Sequence, residues 1–190
     1  MDLVTRVKAI LLTPKLEWPV IEQEQTTPAQ LYTGYVIPLA AIGPIASVIG
    51  YSVFGIGVPL VGTVRVGLMR GITHGIVQYV LALVAVYVGA FIFNALAPTF
   101  GGKQDMSQAL KLSVYASTAS WVAGIFAILP GLAILSFLGL YSVYLLYTGV
   151  PVMMKSPPEK SMGYTIAAIV CWIVLFFIVA QVSRSFVAYY

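Results

Sequence analysis

Three polar side chains recur at every fourth position of the apolar stretch GLMRGITHGIVQ. They are Arg70, His74 and Gln78, and this spacing places them on one face of a helix. Ionisable residues inside a membrane are costly and often mark ion or substrate routes, and histidine changes charge near neutral pH. One interpretation is therefore a polar path or binding pocket. The favoured alternative is that Arg70 reaches lipid headgroups while His74 and Gln78 bond to a neighbouring helix.

The residue types that catalysis needs are sparse elsewhere in the chain. Cys171 is the single cysteine and His74 the single histidine, so a disulfide within the chain and a cysteine-based or histidine-based metal site are not expected. The glycine-rich GYSVFGIGVPLVG lacks the lysine of a phosphate-binding loop, and no G-x-S-x-G elbow occurs. We therefore expect no enzymatic activity, no metal and no cofactor.

The amino-acid composition indicates whether this chain folds in water or in a membrane. Hydrophobic residues make up 60% of the 190 residues and charged residues only 8%, whereas a soluble domain carries about 25% charged residues. The mean hydropathy is +0.96. The chain is predicted to be an integral membrane protein with the lipid bilayer as its first partner. Its net charge of +4 comes from scattered basic residues, which does not indicate nucleic-acid binding.

Five apolar segments are each long enough to cross a hydrocarbon core, which needs about 20 residues. The predicted fold is therefore an all-α bundle of five transmembrane helices, forming a membrane domain over residues 28–190. The predicted spans cover about residues 31–54, 72–96, 109–129, 132–153 and 164–182.

Prolines, capping-box patterns and a glycine-rich segment predict where these spans bend, begin and end. Pro38 and Pro44 should kink the first span, because each removes a backbone hydrogen bond. Capping-box patterns predict helix starts, listed by their first residue as Thr27, Asp105 and Ser156. The glycine-rich segment from Gly55 to Met69 is predicted to be a re-entrant or interfacial connector.

The first 27 residues form a separate cytoplasmic or interfacial segment in this interpretation. A short amphipathic helix is predicted there, with one apolar stripe made of Leu3, Val4, Val7, Ile10 and Leu11. Arg6 and Lys8 flank the stripe. Either the helix lies in the membrane surface with its basic side chains reaching anionic headgroups, or it packs on the rest of the protein. The sequence leaves both interpretations open.

The distribution of basic residues predicts the orientation of the chain. Five spans place the termini on opposite sides of the membrane. With the N-terminus inside, seven lysines and arginines are cytoplasmic: Arg6, Lys8, Lys15, Lys103, Lys111, Lys155 and Lys160. Three would lie outside: Arg65, Arg70 and Arg184. The expectation is a cytoplasmic N-terminus and a periplasmic or extracellular C-terminus.

Two ladders of small residues predict close helix packing, because small side chains let helix backbones approach each other. The first is Gly67, Gly71 and Gly75 in the second span, and the second is Ala116, Ser120 and Gly124 in the third. The first ladder also offers a face for self-association. The hydroxyls of the third span are predicted to serve packing rather than to line a channel.

The stretch YLLYTGVPVMMKSPPEK is predicted to be the cytoplasmic end of the fourth span. Its glycine and proline loosen the helix, its tyrosines suit the interface, and its charged residues anchor that side. These residues are Tyr144, Tyr147, Gly149, Pro151, Lys155, Glu159 and Lys160.

The longer run GLYSVYLLYTGVPVMMKSPPEKSMGYT resembles the bacterial branch of the Yip (Ypt-interacting protein) family. TPKLEWPVIEQE, LYTGYVIPLAAIGPIASVIGYSVFG and YASTASWVAGIFAILPGL support the resemblance in family order. It implies a Yip-domain-like fold of five spans, with a cytoplasmic N-terminus, in the bacterial inner membrane. Eukaryotic relatives are linked to Rab-type GTPases and early secretory trafficking, whereas the resemblance implies no settled activity for the bacterial members.

The sequence thus predicts a non-enzymatic protein that organises the membrane or binds other membrane proteins, or further copies of itself. The alternative is a small transporter or channel that uses the face of Arg70, His74 and Gln78. Broken helices favour this alternative, because transporters place their sites at such breaks.

Overall fold

The computed structural model describes residues 2–58 and 62–188, and nearly all of this chain is helical. Ten α-helices follow in order: α1 Leu3–Leu12, α2 Pro14–Gln23, α3 Pro28–Leu31, α4 Ile37–Ala40, α5 Ile42–Ile49, α6 Leu68–Leu96, α7 Met106–Ala116, α8 Thr118–Ala123, α9 Tyr141–Met153 and α10 Pro158–Ala188. Wider π turns occur at Tyr32–Val36 and Gly50–Phe54. Tighter 3-10 segments occur at Pro98–Phe100, Gly124–Ile128 and Pro130–Leu140.

Five helical stretches of the described chain are long and apolar enough to cross a membrane, as predicted. They are Pro28–Phe54, Leu68–Leu96, Met106–Ile128, Ile134–Met153 and Pro158–Gln181. The third span lies at the centre of the bundle, since every residue from Ala109 to Ala116 is buried. The first, second and fourth spans pack against it, and the fifth span packs against the second and fourth.

The first span is irregular around its two prolines. A π turn directly precedes the short α4, which contains Pro38. The helix then breaks at Ala41, three residues before Pro44. Both prolines therefore lie beside departures from regular α-helix, as expected when backbone hydrogen bonds are removed.

The connector after the first span, predicted to be re-entrant or interfacial, contains two short paired strands. β1 (Ile56–Val58) pairs antiparallel with β2 (Gly62–Val64), with Gly57 opposite Thr63. Gly55 has a φ of 78° at the entry to β1, a conformation that glycine adopts readily. This pairing was not predicted from the sequence.

The predicted helix starts are partly correct. Thr27 forms a complete capping box with Gln30, since each side chain accepts from the other residue's backbone N–H. Asp105 caps α7, but the Gln108 side-chain amide donates to the Glu22 carbonyl, and its oxygen does not accept from the Asp105 backbone N–H as a capping box requires. The cap predicted at Ser156 is wrong, because α10 begins at Pro158 and the Ser156 hydroxyl donates to the Phe100 carbonyl at 3.4 Å.

The N-terminal helices α1 and α2 form a helical hairpin that belongs to the main core. Ile10, Trp18 and Ile21 are fully buried in it together with residues of the third and fourth spans. α2 packs on α9 and on α7, and α1 reaches α8. Residues 3–23 are therefore packed on the rest of the protein, which was one of the two interpretations of this segment.

Candidate functional site: the interface beneath the N-terminal hairpin

The N-terminal hairpin lies lengthwise along the fourth span. At its tip, the Tyr141 hydroxyl donates to the Leu11 carbonyl at 3.0 Å. At its base, Lys155 pairs with Glu22 at 2.9 Å. Because α9 has 13 residues and rises about 1.5 Å per residue, the hairpin follows the span over most of about 18 Å. We call the contact surface the hairpin interface; it comprises Arg6, Glu17, Trp18, Glu22 and Glu24 against Lys111, Tyr115, Thr148, Gly149 and Lys155.

Arg6 is the central charge of the hairpin interface. Its side chain donates to the carboxylates of Glu17 and Glu24, and its guanidinium carbon lies 5.9 Å from the centre of the Tyr115 ring. Arg6 is only 5% exposed. Desolvation lowers its pKa, but Glu24, Tyr115 and Glu17 together outweigh this effect, so the pKa lies above its ordinary value. The guanidinium therefore remains charged, and removing a partner would leave a buried charge unpaired.

For Arg6 this placement agrees with the interpretation that α1 packs on the rest of the protein, and not with the alternative that its basic side chains reach the lipid headgroups. α1 and α2 each have ten residues and are joined at Thr13, so the turn folds Arg6 back against α2. The acidic run that contains Glu17 and Glu24 lies there. The sequence did contain a signal for this fold: two short helices joined by a sharp turn, with a basic residue on the first and acidic residues on and just after the second. A helical periodicity taken within α1 alone could not show it.

Lys111 of the third span holds the C-terminal end of α2. Its ammonium group donates to the carbonyl oxygens of Ile21 at 3.0 Å, of Glu22 at 3.3 Å, and of Glu24. The last carbonyls of a helix have no partner within it and carry the negative end of its dipole. Lys111 is 2% exposed and satisfies three of its donors there. Its role is therefore docking rather than anchoring at the surface.

A tryptophan and a glycine make the closest packing of the hairpin interface. The fully buried Trp18 donates from Nε1 to the Thr148 hydroxyl at 3.1 Å. Its ring covers Gly149, where a Cβ atom would lie 2.7 Å from both Trp18 and Leu112. The fourth span therefore needs a glycine at this position for the hairpin to approach.

The hairpin interface joins two stretches that stood out in the sequence, TPKLEWPVIEQE and YLLYTGVPVMMKSPPEK. Gly149 and Lys155 of the second stretch contact the hairpin, and Pro151 lies within α9. The remaining predicted residues of that stretch are exposed, namely Tyr144, Tyr147, Glu159 and Lys160. The hairpin thus covers Gly149 of this predicted cytoplasmic motif, and the exposed residues remain available to a partner.

Of the three residues predicted to form a polar face on the second span, one lines a cavity. Arg70 is exposed and His74 is half-buried. Gln78 is the member of this group that lines the cavity between the second, third, fourth and fifth spans. α6 keeps the three on one face, yet the described structure does not place Arg70 or His74 among the lining residues.

The first small-residue ladder packs within the chain. A Cβ atom at Gly71 would lie 2.8 Å from the Ser52 hydroxyl, and one at Gly75 would lie 2.7 Å from Val48. Gly67 has open space around it, so the structure gives it no packing role. The face predicted for self-association is thus covered by the first span of the same chain.

The second ladder also meets neighbours within the chain. Ala116 is buried, and the Ser120 hydroxyl donates to the Gly139 carbonyl at 3.1 Å. A Cβ atom at Gly124 would lie 2.9 Å from the Cα atom of Gly43. Ser120 therefore joins the third span to the fourth, and Gly124 joins it to the first.

Comparison with known proteins agrees with the resemblance seen in the sequence. The model of the Yip1 domain family matches residues 8–181. The inner membrane protein YohC of Escherichia coli (strain K12) is 22% identical over 166 residues, which cover 85% of each chain. The protein of the same name from Escherichia coli O6:H1 matches equally well, and no solved structure matches. With its five apolar spans, the chain is a multi-pass inner membrane protein.

Proposed function

Because the chain belongs to the Yip1 domain family, we propose that it is a non-enzymatic inner-membrane protein that organises the membrane around it. The N-terminus is cytoplasmic, and the N-terminal hairpin is the part that acts on the lipid. The observation that carries this proposal is the outward face of that hairpin, which is apolar and basic although the hairpin also contains three glutamates.

The outward face consists of four apolar and two basic side chains, which we call the outer ridge: Val4, Lys8, Leu12, Lys15, Leu16 and Val20. Leu12 is 78% exposed and Leu16 is 73% exposed. Glu17 and Glu24 instead turn inward to Arg6, and Glu22 pairs with Lys155. Apolar residues interspersed with lysines suit the boundary between acyl chains and anionic headgroups.

The docking of the hairpin converts lipid contact into a membrane-organising activity. Helices that bind a bilayer alone are free to move relative to other proteins, whereas this ridge is fixed to the third and fourth spans by the hairpin interface. It would insert from one side of the membrane, the cytoplasmic side that the lysine and arginine counts favour. Such one-sided insertion favours curvature, and it favours sorting of anionic lipid near the protein.

Reconstitution tests this proposal. The purified protein would be placed in vesicles of phosphatidylethanolamine and phosphatidylglycerol, and vesicle diameters would be measured by cryo-electron microscopy. We expect the wild-type protein to reduce the mean diameter, and the Leu12→Glu, Leu16→Glu double variant to lose this effect. The matched control is Gln23→Glu, Gln25→Glu, which adds the same charge to exposed positions outside the ridge. Equal diameters for all three proteins would refute the proposal.

Association with other membrane proteins, or with a second copy, is part of the same proposal. Because Gly71 and Gly75 pack against the first span, a partner would use another surface. The surfaces open to a partner include the exposed Tyr144 and Tyr147 of α9, between the tip and the base of the hairpin, and the exposed Glu159 and Lys160 at the start of α10. Crosslinking in native membranes tests this, and exclusively monomeric protein with no crosslinked partner would count against it.

A second candidate function is transport, favoured by one observation: Gln78 lines a cavity inside the bundle. The test uses single cysteines at His74 and Gln78 in a Cys171→Ser background, with a cysteine at the exposed Arg65 as the control. Labelling of all three by a membrane-impermeant thiol reagent in intact cells would indicate a water-filled entry and favour transport. Labelling of the Arg65 position alone would leave the organising function as the better explanation.

A further inference from the structure

A cavity of about 480 Å³ lies between the second, third, fourth and fifth spans. It follows α6 from Gln78 to Phe93, a rise of about 22 Å. This length exceeds one leaflet, which is half of a hydrocarbon core of about 30 Å. The length of this space suits an acyl chain whose carbon atoms contact the walls at about 4 Å.

Four serines line the cavity, but their hydroxyls bond to the protein itself. Ser113 donates to the Val86 carbonyl at 2.7 Å, and Ser117 donates to the Ser113 carbonyl at 2.8 Å. Ser120 donates to the Gly139 carbonyl, and the Ser120 and Ser142 hydroxyls lie 2.9 Å apart. Along the cavity beyond Gln78, these hydroxyls leave little hydrogen-bonding capacity for water, and regions without polar partners stay dry. The walls therefore favour hydrocarbon over a hydrated solute.

The cavity opens sideways, toward the lipid. Leu140 and Val143 on the fourth span and Ile173 on the fifth all line it, and all three are also exposed. Val86 and Leu146 line its inner part and are almost completely buried. An occupant would therefore enter from the bilayer between the fourth and fifth spans and reach residues that the surrounding lipid does not contact.

We propose that this cavity binds one acyl chain of a bilayer phospholipid. None of the described side chains that line it is charged, so a free fatty acid would find no cation for its carboxylate. A phospholipid satisfies its charges outside the cavity. Within the described residues the Gln78 side chain makes no hydrogen bond, and it lies at one end of the cavity, where its amide can donate to an ester oxygen at the head of the chain.

Photocrosslinking tests this site. The full-length protein is reconstituted in vesicles of phosphatidylethanolamine and phosphatidylglycerol, in which a fraction of the phosphatidylethanolamine carries a diazirine in one acyl chain. Crosslinked positions are mapped by mass spectrometry. We expect crosslinks at the buried Val86 and Leu146 at several times the level found at the lipid-facing Val84. If the wild-type protein is crosslinked at exposed positions such as Val84 and not at Val86 or Leu146, this result alone would overturn the proposal.

Variants that fill the cavity provide the second measurement. Ala82→Phe places a ring in the cavity, and we expect it to lower crosslinking at Val86 and Leu146 at least fivefold. Ala95→Phe adds the same ring to an exposed position on the same helix and should change nothing. Undiminished crosslinking in Ala82→Phe would refute the site. Equally strong labelling of Val86 and Leu146 by a free diazirine fatty acid would overturn the assignment to a phospholipid.

Discussion

The third span presents two different surfaces to the rest of the molecule. On one side, Lys111 and Tyr115 face the hairpin interface, where each polar group meets a partner from a distant part of the chain. On the other side, Ser113 and Ser117 border the cavity, and their hydroxyls bond to backbone carbonyls. The first surface is charged, and it is closely packed around Trp18 and Gly149. The second leaves an open space walled mainly by carbon.

This difference shows that the number of polar residues does not decide what a surface of a membrane helix binds. Both surfaces are polar in sequence. In the hairpin interface the polar groups fix where two segments dock, because any other arrangement would leave buried charges unpaired. Beside the cavity the hydroxyls are satisfied locally and do not determine what fills the space. The two surfaces should therefore respond in opposite ways to added volume.

The largest expected effect comes from removing the central charge of the hairpin interface. Arg6→Ala leaves the carboxylate of Glu17 buried without its partner, and breaking a buried ion pair costs about 3–5 kcal/mol. We expect a loss of this order in the free energy of unfolding, measured in detergent micelles. The control is Lys8→Ala on the same helix, which is exposed and should change stability by less than about 0.5 kcal/mol. Similar losses for both variants would mean that the hairpin does not dock as described.

Sequence reasoning could predict the spans but not this interface. The hydrocarbon thickness sets a minimum length for every span, so five apolar segments were visible in the sequence. The capping box at Thr27 is also local and was correct. Arg6 and Lys111, in contrast, acquire their roles from partners many positions away. Both look like ordinary surface anchors until α2 is known to lie beside the third span.

The cavity could not be predicted for a different physical reason. It is a gap in packing, and a gap depends on how four spans lie relative to one another. Periodicity placed Gln78 on a face with Arg70 and His74, but it did not show that only Gln78 faces a space. Likewise, Gly71 and Gly75 correctly indicated that another helix approaches the second span closely. That this helix is the first span of the same chain could be learned only from the structure.

Adding volume to the hairpin interface should be destabilising. In Gly149→Ala the new methyl group would lie 2.7 Å from the Trp18 ring and from Leu112, and overpacking of this kind costs about 1–3 kcal/mol. The expected result is a lower unfolding temperature of the purified protein. Gly34→Ala offers a matched control in the first span, because a Cβ atom there has nothing within 4 Å. A Gly149→Ala protein as stable as Gly34→Ala would show that the hairpin packs loosely.

Adding volume beside the cavity should have the opposite sign. Ala85 lines the cavity, and Ala85→Leu would fill part of it with carbon. Filling an existing cavity typically stabilises by about 0.5–2 kcal/mol, and we expect a gain in that range for delipidated protein in detergent. Ala95→Leu, at an exposed position on the same helix, should leave the unfolding temperature unchanged. A clear loss of stability in Ala85→Leu would mean that the two surfaces of the third span are packed equally tightly.

The smallest expected effect lies at the start of the hairpin and depends on pH. Asp2 caps α1; the hydroxyl and backbone N–H of Thr5 donate to its carboxylate at 2.6 and 2.9 Å. These hydrogen bonds, the side-chain one first, lower the Asp2 pKa below its ordinary value of 3.8. Because the folded-state pKa is the lower one, the stabilisation is fully present above pH 3.8 and is lost as the pH falls through the folded-state pKa.

The variant Asp2→Asn isolates this effect, since asparagine also caps helices but does not titrate. The measured quantity is the difference in unfolding temperature between wild type and variant at pH 6 and at pH 3. We expect a small difference in favour of the wild type at pH 6 that shrinks at pH 3. An unchanged difference would place the source of the acid sensitivity elsewhere. A difference as large as that of Arg6→Ala would mean that the cap, rather than the buried ion pairs, holds the hairpin in place.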